Sequence, residues 1–300
     1  MNVCAVRGET GLTGDDHREP RPNRGGNATM IVFLFLLFFA AGEPAAYAGA
    51  GSATVEFSAP SGMFSVGEKL EYEVSYSIFS LGTVSVEIID SERRGGSSVY
   101  RARAFMDSYS GVPFVSLHWM FYSEIDPQIY SRYFSGEDRK DTSNITFSHY
   151  TFDYDRKTVL VEKGAVGRPQ SVARTSDTIS TTYEDGLSLF YYARGTVHSA
   201  REANIPTFVN ESKVNTYIDF KDKIGSTEID AIKYPVRTVE FEGRADFVGI
   251  FGLTGGFRGW FSDDDAAVPI LAKMNVIIGS IRLELVRWRR DGWVPPRSSD

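Results

Sequence analysis

The sequence predicts an all-β protein, built as a single antiparallel, strongly curved sheet or incomplete β-barrel with one short helix packed in or across it. Short segments that alternate apolar and polar residues, separated by turn residues, recur along most of the chain. Only residues 177–195 have the spacing and the end signals of a helix. Strands are expected on both sides of this helix without strand–helix alternation, which argues against a parallel sheet.

The N-terminal part reads as an export signal. Residues 1–29 are polar and are expected to be a disordered n-region. Residues 30–41 (MIVFLFLLFFAA) are the most hydrophobic run, and a dozen apolar residues suit a signal h-region better than a spanning helix of about 20. Ala46-Tyr47-Ala48 offers a cleavage site, with Ala48-Gly49-Ala50 as a second option. We expect a signal peptide over 30–48, a linker over 49–63 and a periplasmic location in a Gram-negative type envelope; an uncleaved membrane anchor is the alternative.

Composition and cysteine usage exclude several classes of protein. The chain has 300 residues and a formal net charge of −7, and it has no long Lys/Arg block. We therefore expect no nucleic-acid partner, because neutralisation of phosphates dominates that affinity. The single cysteine, Cys4, precedes the apolar run. The exported chain therefore has no disulfide, thiolate metal site, cysteine nucleophile or lipid-bearing cysteine.

The first half of the β domain, which is expected to span 64–290, is a series of strands. Residues 68–79 alternate cleanly between apolar and polar side chains, as in a half-buried strand. A turn at Leu81-Gly82 joins them to a second alternating segment that carries Val84, Val86 and Ile88, which predicts a hairpin. The aromatic segment 109–122 is not strictly periodic and is expected to be core or, alternatively, a hydrophobic binding wall. Further strands are predicted at 99–106, 128–134, 142–154 and 158–162.

The predicted helix lies near the middle of the β domain. Leu187, Phe190, Tyr191 and Arg194 recur at i, i+3, i+4 and i+7, which places them on one face. Thr182 or Asp185 supplies the N-cap. Gly195 stands where a left-handed residue would end the helix. A helix this short is not stable alone in water, so its apolar face must pack on the sheet.

Strands resume after the helix. The glycine-rich, aromatic segment 247–259 is expected to be a loop between two of them or, more sharply, an apolar flap at the barrel mouth that contacts ligand or membrane. Residues 291–300 are expected to be a loose tail. The predicted strands are 205–209, 213–221, 226–231, 234–244, 260–262, 268–274 and 280–288.

Four stretches in order carry a family resemblance. They are VGEKLEY at 66–72 with Gly82 after it, EIDPQIYSRY at 124–133, DGLSLFYYAR at 185–194, and FSDDDAAVPI at 261–270 followed by Gly279-Ser280-Ile281. Together they resemble the bacterial exported family known as domain of unknown function 3108, over residues 64–285. The resemblance implies export and a β-rich fold, and no activity. More distantly, a curved sheet with an internal helix is similar to the periplasmic lipoprotein-carrier fold, which holds acyl chains between sheet and helix.

No pattern of catalytic or metal-binding residues stands out. Asp263-Asp264-Asp265 could offer oxygens to a cation, but without EF-hand spacing the stretch favours a turn capped by Asp264 or Asp265. His118, His149 and His198 occur singly, without paired metal-ligand spacing. We find neither a G-x-S-x-G sequence nor a Walker lysine. The sequence therefore predicts no catalytic residue, metal or cofactor. A hydrolase would require the three aspartates to lie near His118 or His149.

The leading hypothesis is non-enzymatic binding of a lipid-like or other apolar ligand between sheet and helix, with transient membrane contact. Arg194 would contact the carbonyls at the helix end or, alternatively, hold an anionic head group. If the helix fills the concave face, no pocket remains. The alternative function is a structural or interaction module that recruits envelope proteins through sheet edges. The expected ligand-binding residues are Leu187, Phe190, Tyr191, Arg194, Phe251 and Phe257.

Overall fold

The computed structural model describes residues 60, 62–112, 116–199, 202–245, 253–276 and 280–299. Its fourteen described strands form one antiparallel sheet that is not closed into a barrel, which confirms the predicted fold class. The strands before the helix are β1 (Lys69–Tyr76), β2 (Phe79–Arg94), β3 (Ser97–Ser108), β4 (His118–Ile125), β5 (Ser131–Asp138), β6 (Thr146–Asp153), β7 (Thr158–Ala165) and β8 (Ala173–Thr178). The helix is α1 (Gly186–Thr196), and the later strands are β9 (Glu202–Val209), β10 (Ser212–Thr227), β11 (Val236–Ala245), β12 (Leu253–Ser262), β13 (Pro269–Val276) and β14 (Ser280–Arg289).

The strand order places the helix between the two edges of the sheet. The order is β8-β7-β6-β5-β4-β3-β2-β1-β14-β13-β12-β11-β10-β9. The first and last strands therefore pair in the middle, and the edge strands β8 and β9 flank α1 in sequence. The segment that contains α1 therefore connects one edge of the sheet to the other.

Ion pairs and hydrogen bonds between distant strands record the curvature of the sheet. Glu211, in the β9–β10 turn, accepts a hydrogen bond from the Tyr150 hydroxyl at 3.0 Å and pairs with Lys163 at 3.0 Å. Lys213 of β10 pairs with Asp177 of β8 at 2.6 Å. These contacts hold the β9–β10 side against β6, β7 and β8. The concave face that results contains the buried apolar side chains of the core.

α1 starts at a reciprocal cap. The Asp185 side chain accepts hydrogen bonds from the backbone N–H of Leu187 and Ser188, and the Ser188 hydroxyl accepts one from the Asp185 N–H. Asp185, rather than Thr182, is therefore the N-cap. Gly195 does not end the helix as expected. The chain stays right-handed through Val197, with φ −54° and ψ −31°, so no left-handed glycine is needed.

The glycine-rich segment is largely strand. β12 begins at Leu253, so only part of the expected loop or flap remains, and residues 246–252 lie outside the described residues. Gly243 pairs with Phe257, and Gly259 pairs with Phe241. A Cβ on Gly243 would lie 2.0 Å from the Phe257 ring, and one on Gly259 would lie 2.4 Å from the Phe241 ring. These glycines make room for cross-strand phenylalanines.

Two other expectations differ from the structure. The strands expected at 213–221 and 226–231 are not separate, because β10 runs from Ser212 to Thr227 with a register shift between Phe220 and Ile224, and residues 228–231 lie outside any strand. The tail expected to be loose instead docks on the start of β11. The Arg237 N–H donates to the Pro296 carbonyl at 2.8 Å, and the Ser298 N–H donates to the Pro235 carbonyl at 2.9 Å. In the part of the chain that the structure describes, no helix has the length and apolar character needed to cross a membrane.

Candidate functional site

A buried ion pair holds the C-terminal end of α1. The Arg194 guanidinium donates to the Glu68 carboxylate at 2.6 and 2.9 Å and to the Ala266 carbonyl at 2.9 Å. Arg194 and Glu68 are each only 1% exposed. Arg290 also binds Glu68. From the sequence we expect Arg194 to contact the carbonyls at the helix end or to hold an anionic head group. Its described hydrogen-bond partners are Glu68 and the Ala266 carbonyl of the β12–β13 turn.

The electrostatics of this cluster favour the charged forms. Burial opposes ionisation of Glu68, but Arg194 and Arg290 outweigh it and hold the pKa of the carboxyl below its ordinary value. Burial likewise opposes the charge on Arg194, and Glu68 reverses this effect and raises the pKa of the guanidinium. The cluster is therefore a charged link between α1 and the start of β1, made by both terminal nitrogens of Arg194, while the buried Arg194 Nε has no described hydrogen-bond partner.

The N-terminal end of α1 is tied to three strands. The Asp185 carboxylate accepts a hydrogen bond from the Ser123 hydroxyl of β4 at 2.5 Å. The Tyr183 carbonyl accepts one from the Ser131 N–H of β5 at 2.9 Å. Glu184 forms a parallel bridge with Thr207 of the edge strand β9. Burial raises the pKa of the Glu184 carboxyl well above its ordinary value, and the neighbouring Asp185 adds to the shift.

The four stretches that carry the family resemblance meet around α1. The first supplies Glu68, the second supplies Ser131, and the third is α1 with its cap. The fourth supplies the β12–β13 turn, which contains the Ala266 carbonyl that Arg194 binds. There Asp264 accepts hydrogen bonds from the Ser262 hydroxyl and from the N–H groups of Ala266 and Ala267, so it caps the turn as the sequence predicts. The stretches that look unrelated in sequence are therefore one structural unit.

The helix residues predicted to bind ligand lie in the core. Leu187, Phe190 and Tyr191 are buried, and the Tyr191 ring lies 5.2 Å from the Phe64 ring. Phe257 is half-buried on β12, where its ring centroid is 6.1 Å from that of Phe241. Phe251 lies outside the described residues. The structure thus groups the helix residues at one closed end of the concave face, and a ligand role for them stays a prediction.

The opposite end of the concave face is apolar and partly exposed. We call Tyr76, Phe79, Leu81, Leu117 and Trp119 the distal rim. Tyr76 pairs with Phe79, which is 64% exposed. Trp119 continues the inward row of β4, and its ring stacks on the buried Phe121 at 5.8 Å. All members except Phe79 are partly buried against the core.

Backbone hydrogen bonds make the distal rim continuous. The Leu81 carbonyl accepts a hydrogen bond from the Tyr109 N–H at 2.9 Å, and the Leu117 carbonyl accepts one from the Ser108 N–H at 2.9 Å. The rim thus runs across β1, β2, β3 and β4 at the ends of these strands. In the sequence, only the long apolar segments near the rim indicate this site. The sequence does not show which end of the concave face α1 covers.

The structure does not assemble the hydrolase considered from the sequence. Asp263 pairs with Arg237 at 2.6 Å. His118 pairs with Asp107 at 2.9 Å at the distal end, and His149 stacks on Phe147 at 4.2 Å. Within the described ranges, no three metal-ligating side chains are placed to hold an ion. The geometry therefore offers no support for this chemistry among these residues.

Comparisons with known proteins agree with the fold. A family model described as "Protein of unknown function (DUF3108)" matches residues 71–286. No curated protein matches the chain. A crystal structure of a β-barrel-like protein of domain of unknown function DUF1849 from Brucella abortus is similar, with 12% identity, 79% of this chain and 99% of that chain covered, and a TM-score of 0.50. At that identity the likeness concerns the fold alone.

Two further solved structures are more distant. A Bacteroides fragilis protein with a YmcC-like fold has 8% identity and a TM-score of 0.35, with 79% of this chain and 100% of that chain covered. A Parabacteroides distasonis protein has 10% identity and a TM-score of 0.34, with 78% and 100% covered. Scores this low carry no argument about function.

Proposed function

The chain belongs to the DUF3108 family of proteins of unknown function, and we propose that it is a non-enzymatic protein of the bacterial cell envelope that binds an apolar, lipid-like ligand at the distal rim. Such a ligand would lie against Tyr76, Phe79 and Trp119, with its polar end toward solvent. The helix acts as the floor of the concave face rather than as the binding wall.

The exposure of Phe79 carries the proposal. Its side chain is 64% exposed, although Phe79 pairs with Tyr76, whose side chain packs on the core. The neighbouring Ile78 in the hairpin turn is 87% exposed. Burial of apolar surface contributes about 25 cal/mol of stabilising free energy per Å², which an exposed side chain does not gain. Contiguous exposed apolar residues commonly mark binding surfaces. An apolar ligand would recover this free energy.

The anchoring of α1 favours the distal rim over the part of the concave face that the helix covers as the ligand site. Leu187, Phe190 and Tyr191 already occupy the concave face where α1 lies. A ligand could enter there only by displacing the helix, and that would break the buried pair of Arg194 and Glu68. Removing one partner of such a pair typically costs about 3–5 kcal/mol. The distal rim requires no such rupture.

An envelope location fits this role. The apolar run at 30–41 and the small-residue cleavage pattern after it support export. Both lie outside the described residues, so export remains part of the proposal. The aqueous space beyond an inner membrane is where a carrier or sensor of apolar molecules would shield them from water.

Native mass spectrometry tests the proposal. The full chain would be expressed in a Gram-negative host and purified from the periplasm without detergent, and anything bound would be extracted and identified. Phe79→Asp places a carboxylate in the distal rim. Ile224→Asp is the matched control, since Ile224 is 57% exposed on β10. We expect a stoichiometric apolar adduct on the wild type and the control, and none on Phe79→Asp. A clean apo mass for the wild type, or an adduct unaffected by Phe79→Asp, would contradict the proposal.

The edge strand β8 supports a second candidate function, recruitment of an envelope protein by strand addition. All six residues of β8 are exposed, whereas Glu184 bridges part of the other edge, β9. Site-specific photocrosslinking in cells from Thr175 on β8, with Ser298 in the docked tail as control, would test it. A discrete partner captured only from Thr175 is expected. Equal labelling from both positions would contradict it.

A further inference from the structure

A groove of about 530 Å³ crosses the outer face of the sheet, and its lining includes no residue of the distal rim. It is lined by Arg94, Tyr122, Glu124, Arg132, Tyr133, Thr151 and Phe152. Tyr133 pairs with Glu124 of β4 on one side and with Thr151 of β6 on the other, so these three outward side chains form one row. The volume lies within the roughly 300–1,000 Å³ typical of small-ligand sites.

Two tyrosines give the groove an aromatic wall. The rings of Tyr122 and Tyr133 are 6.0 Å apart and inclined at 65°, and both side chains are only partly buried. Phenol rings combine an apolar face with a polar edge. They suit a ligand that also has an apolar face and a polar edge, as the ring of a sugar does.

The charges in the groove are already paired. Arg94 binds Glu124 at 2.5 Å, and Arg132 binds Asp126 at 2.5 and 2.7 Å. An anionic ligand would have to compete with these carboxylates for the guanidinium groups. A neutral ligand would leave the ion pairs intact, which favours hydroxyl groups over carboxylate or phosphate groups as the recognised chemistry.

Hydrogen-bonding capacity remains for such a ligand. The bonds of Arg132 to Asp126 and to the Tyr130 hydroxyl use its Nε and Nη2 atoms. No acceptor within the described ranges takes the Nη1 hydrogens, and the exposed Thr151 hydroxyl also has no described partner. A guanidinium donor and a hydroxyl that both donates and accepts, beside an aromatic ring, are suited to sugar hydroxyls.

We propose that this groove binds a neutral oligosaccharide, with Tyr133 as the stacking surface and Arg132 and Thr151 as hydroxyl-binding groups. Glu124, Arg132 and Tyr133 all belong to the stretch 124–133, one of the four that carry the family resemblance. The Ser131 backbone N–H of that stretch donates to the Tyr183 carbonyl before α1, so the stretch contacts the helix cap on one side and lines the groove on the other. The proposal is independent of apolar binding at the distal rim.

Isothermal titration calorimetry with chitotetraose and maltotetraose tests it on the exported chain. We expect at least one of these neutral sugars to bind. Tyr133→Ala should weaken binding about tenfold or more through the lost aromatic contact. Thr151→Val, which removes only a hydroxyl at an exposed strand position, should weaken it about threefold. Tyr217→Ala on β10 and Thr175→Val on β8 are the matched controls and should bind as the wild type does.

Several outcomes would overturn the assignment. Failure of the wild type to bind either sugar at millimolar concentration would do so, as would binding that Tyr133→Ala and Thr151→Val leave unchanged. Tighter binding of the acidic sugar tetragalacturonate would overturn the neutral class of ligand. Phe79→Asp should leave sugar binding intact, and this separates the two sites. Circular dichroism melting of each variant shows that a loss of binding is not a loss of fold.

Discussion

Arg194 and Glu68 form a bidentate buried ion pair across 126 positions of sequence, with N–O distances of 2.6 and 2.9 Å. The pair joins the end of α1 to the residue just before β1. Arg290, which follows β14, binds the same carboxylate. The Glu68 side chain thus connects the central pair of strands, β1 and β14, to α1.

Glu68→Gln should destabilise the fold strongly. The substitution leaves Arg194 charged and buried without its counter-ion, which costs about 3–5 kcal/mol in comparable cases. Urea unfolding followed by circular dichroism measures the change in the free energy of unfolding. Glu71→Gln, which removes a partly exposed carboxylate that pairs with Lys69 and Arg287 on the outer face of β1, is the control and should cost less than about 1 kcal/mol. Equal effects of the two substitutions would show that the buried pair does not hold α1.

Low pH should remove the stabilisation that the ion pair of Glu68 and Arg194 gives to the fold. The pKa of Glu68 lies below its ordinary 4.5 in the folded state. The stabilisation is therefore complete above the ordinary value and is lost as the pH falls through the folded pKa. The difference in unfolding free energy between wild type and Glu68→Gln should shrink from pH 6 to pH 3. A difference that stays constant over this range would contradict the charged pair.

Glu184 should have the opposite dependence on pH. Burial raises its pKa well above 4.5 in the folded protein, so folding keeps the carboxyl protonated. Stability from this group is fully present below the ordinary value and is lost as the pH rises toward the folded pKa. Glu184→Gln has no proton to lose, and its melting temperature relative to wild type should rise steadily from pH 5 to pH 8. A parallel pH dependence of the two proteins would rule out a buried neutral Glu184.

Asp264→Ala should loosen both the β12–β13 turn and the docked tail. The carboxylate caps the turn through the Ser262 hydroxyl and accepts a hydrogen bond from the Trp293 indole N–H at 2.8 Å. Loss of such a cap typically costs about 1–2 kcal/mol. Fluorescence should shift to the red as Trp293 becomes more exposed, and Trp293→Phe in the same background should abolish the shift. Asp265→Ala is the control, because the cap contacts are made by Asp264; an equal shift in that variant would contradict this role.

The strands were largely predictable because alternation is local. The alternation over residues 68–76 predicts β1, and the helical spacing around Phe190 predicts α1. The hairpin turn expected at Leu81-Gly82 is wrong, because the chain turns at Ser77-Ile78 and Leu81 and Gly82 lie within β2. A strand or helix that is buried on one face has apolar residues at a regular spacing, and this spacing is visible within a short stretch of sequence. Alternation alone divides the long strand β10, because its register shift after Phe220 interrupts the pattern of apolar and polar residues.

The candidate site was less predictable because its parts meet only in three dimensions. Nothing near Glu68 in sequence indicates that its partner is Arg194, and helical periodicity predicted only that Arg194 shares a face with Phe190. The sequence likewise could not show that α1 fills the concave face at one end, or that Phe79 stays exposed at the other. Strand order and the direction of curvature decide these points.

The most direct test of an apolar site at the distal rim is photocrosslinking with a diazirine-bearing fatty acid, mapped by peptide mass spectrometry. We expect labelled peptides from β1, the start of β2 and the start of β4, around Tyr76, Phe79 and Trp119, and competition by unlabelled fatty acid. Saturable labelling confined to Gly186–Thr196 would place the ligand against the helix instead. Labelling without saturation or without any preferred peptide would contradict an apolar binding site altogether.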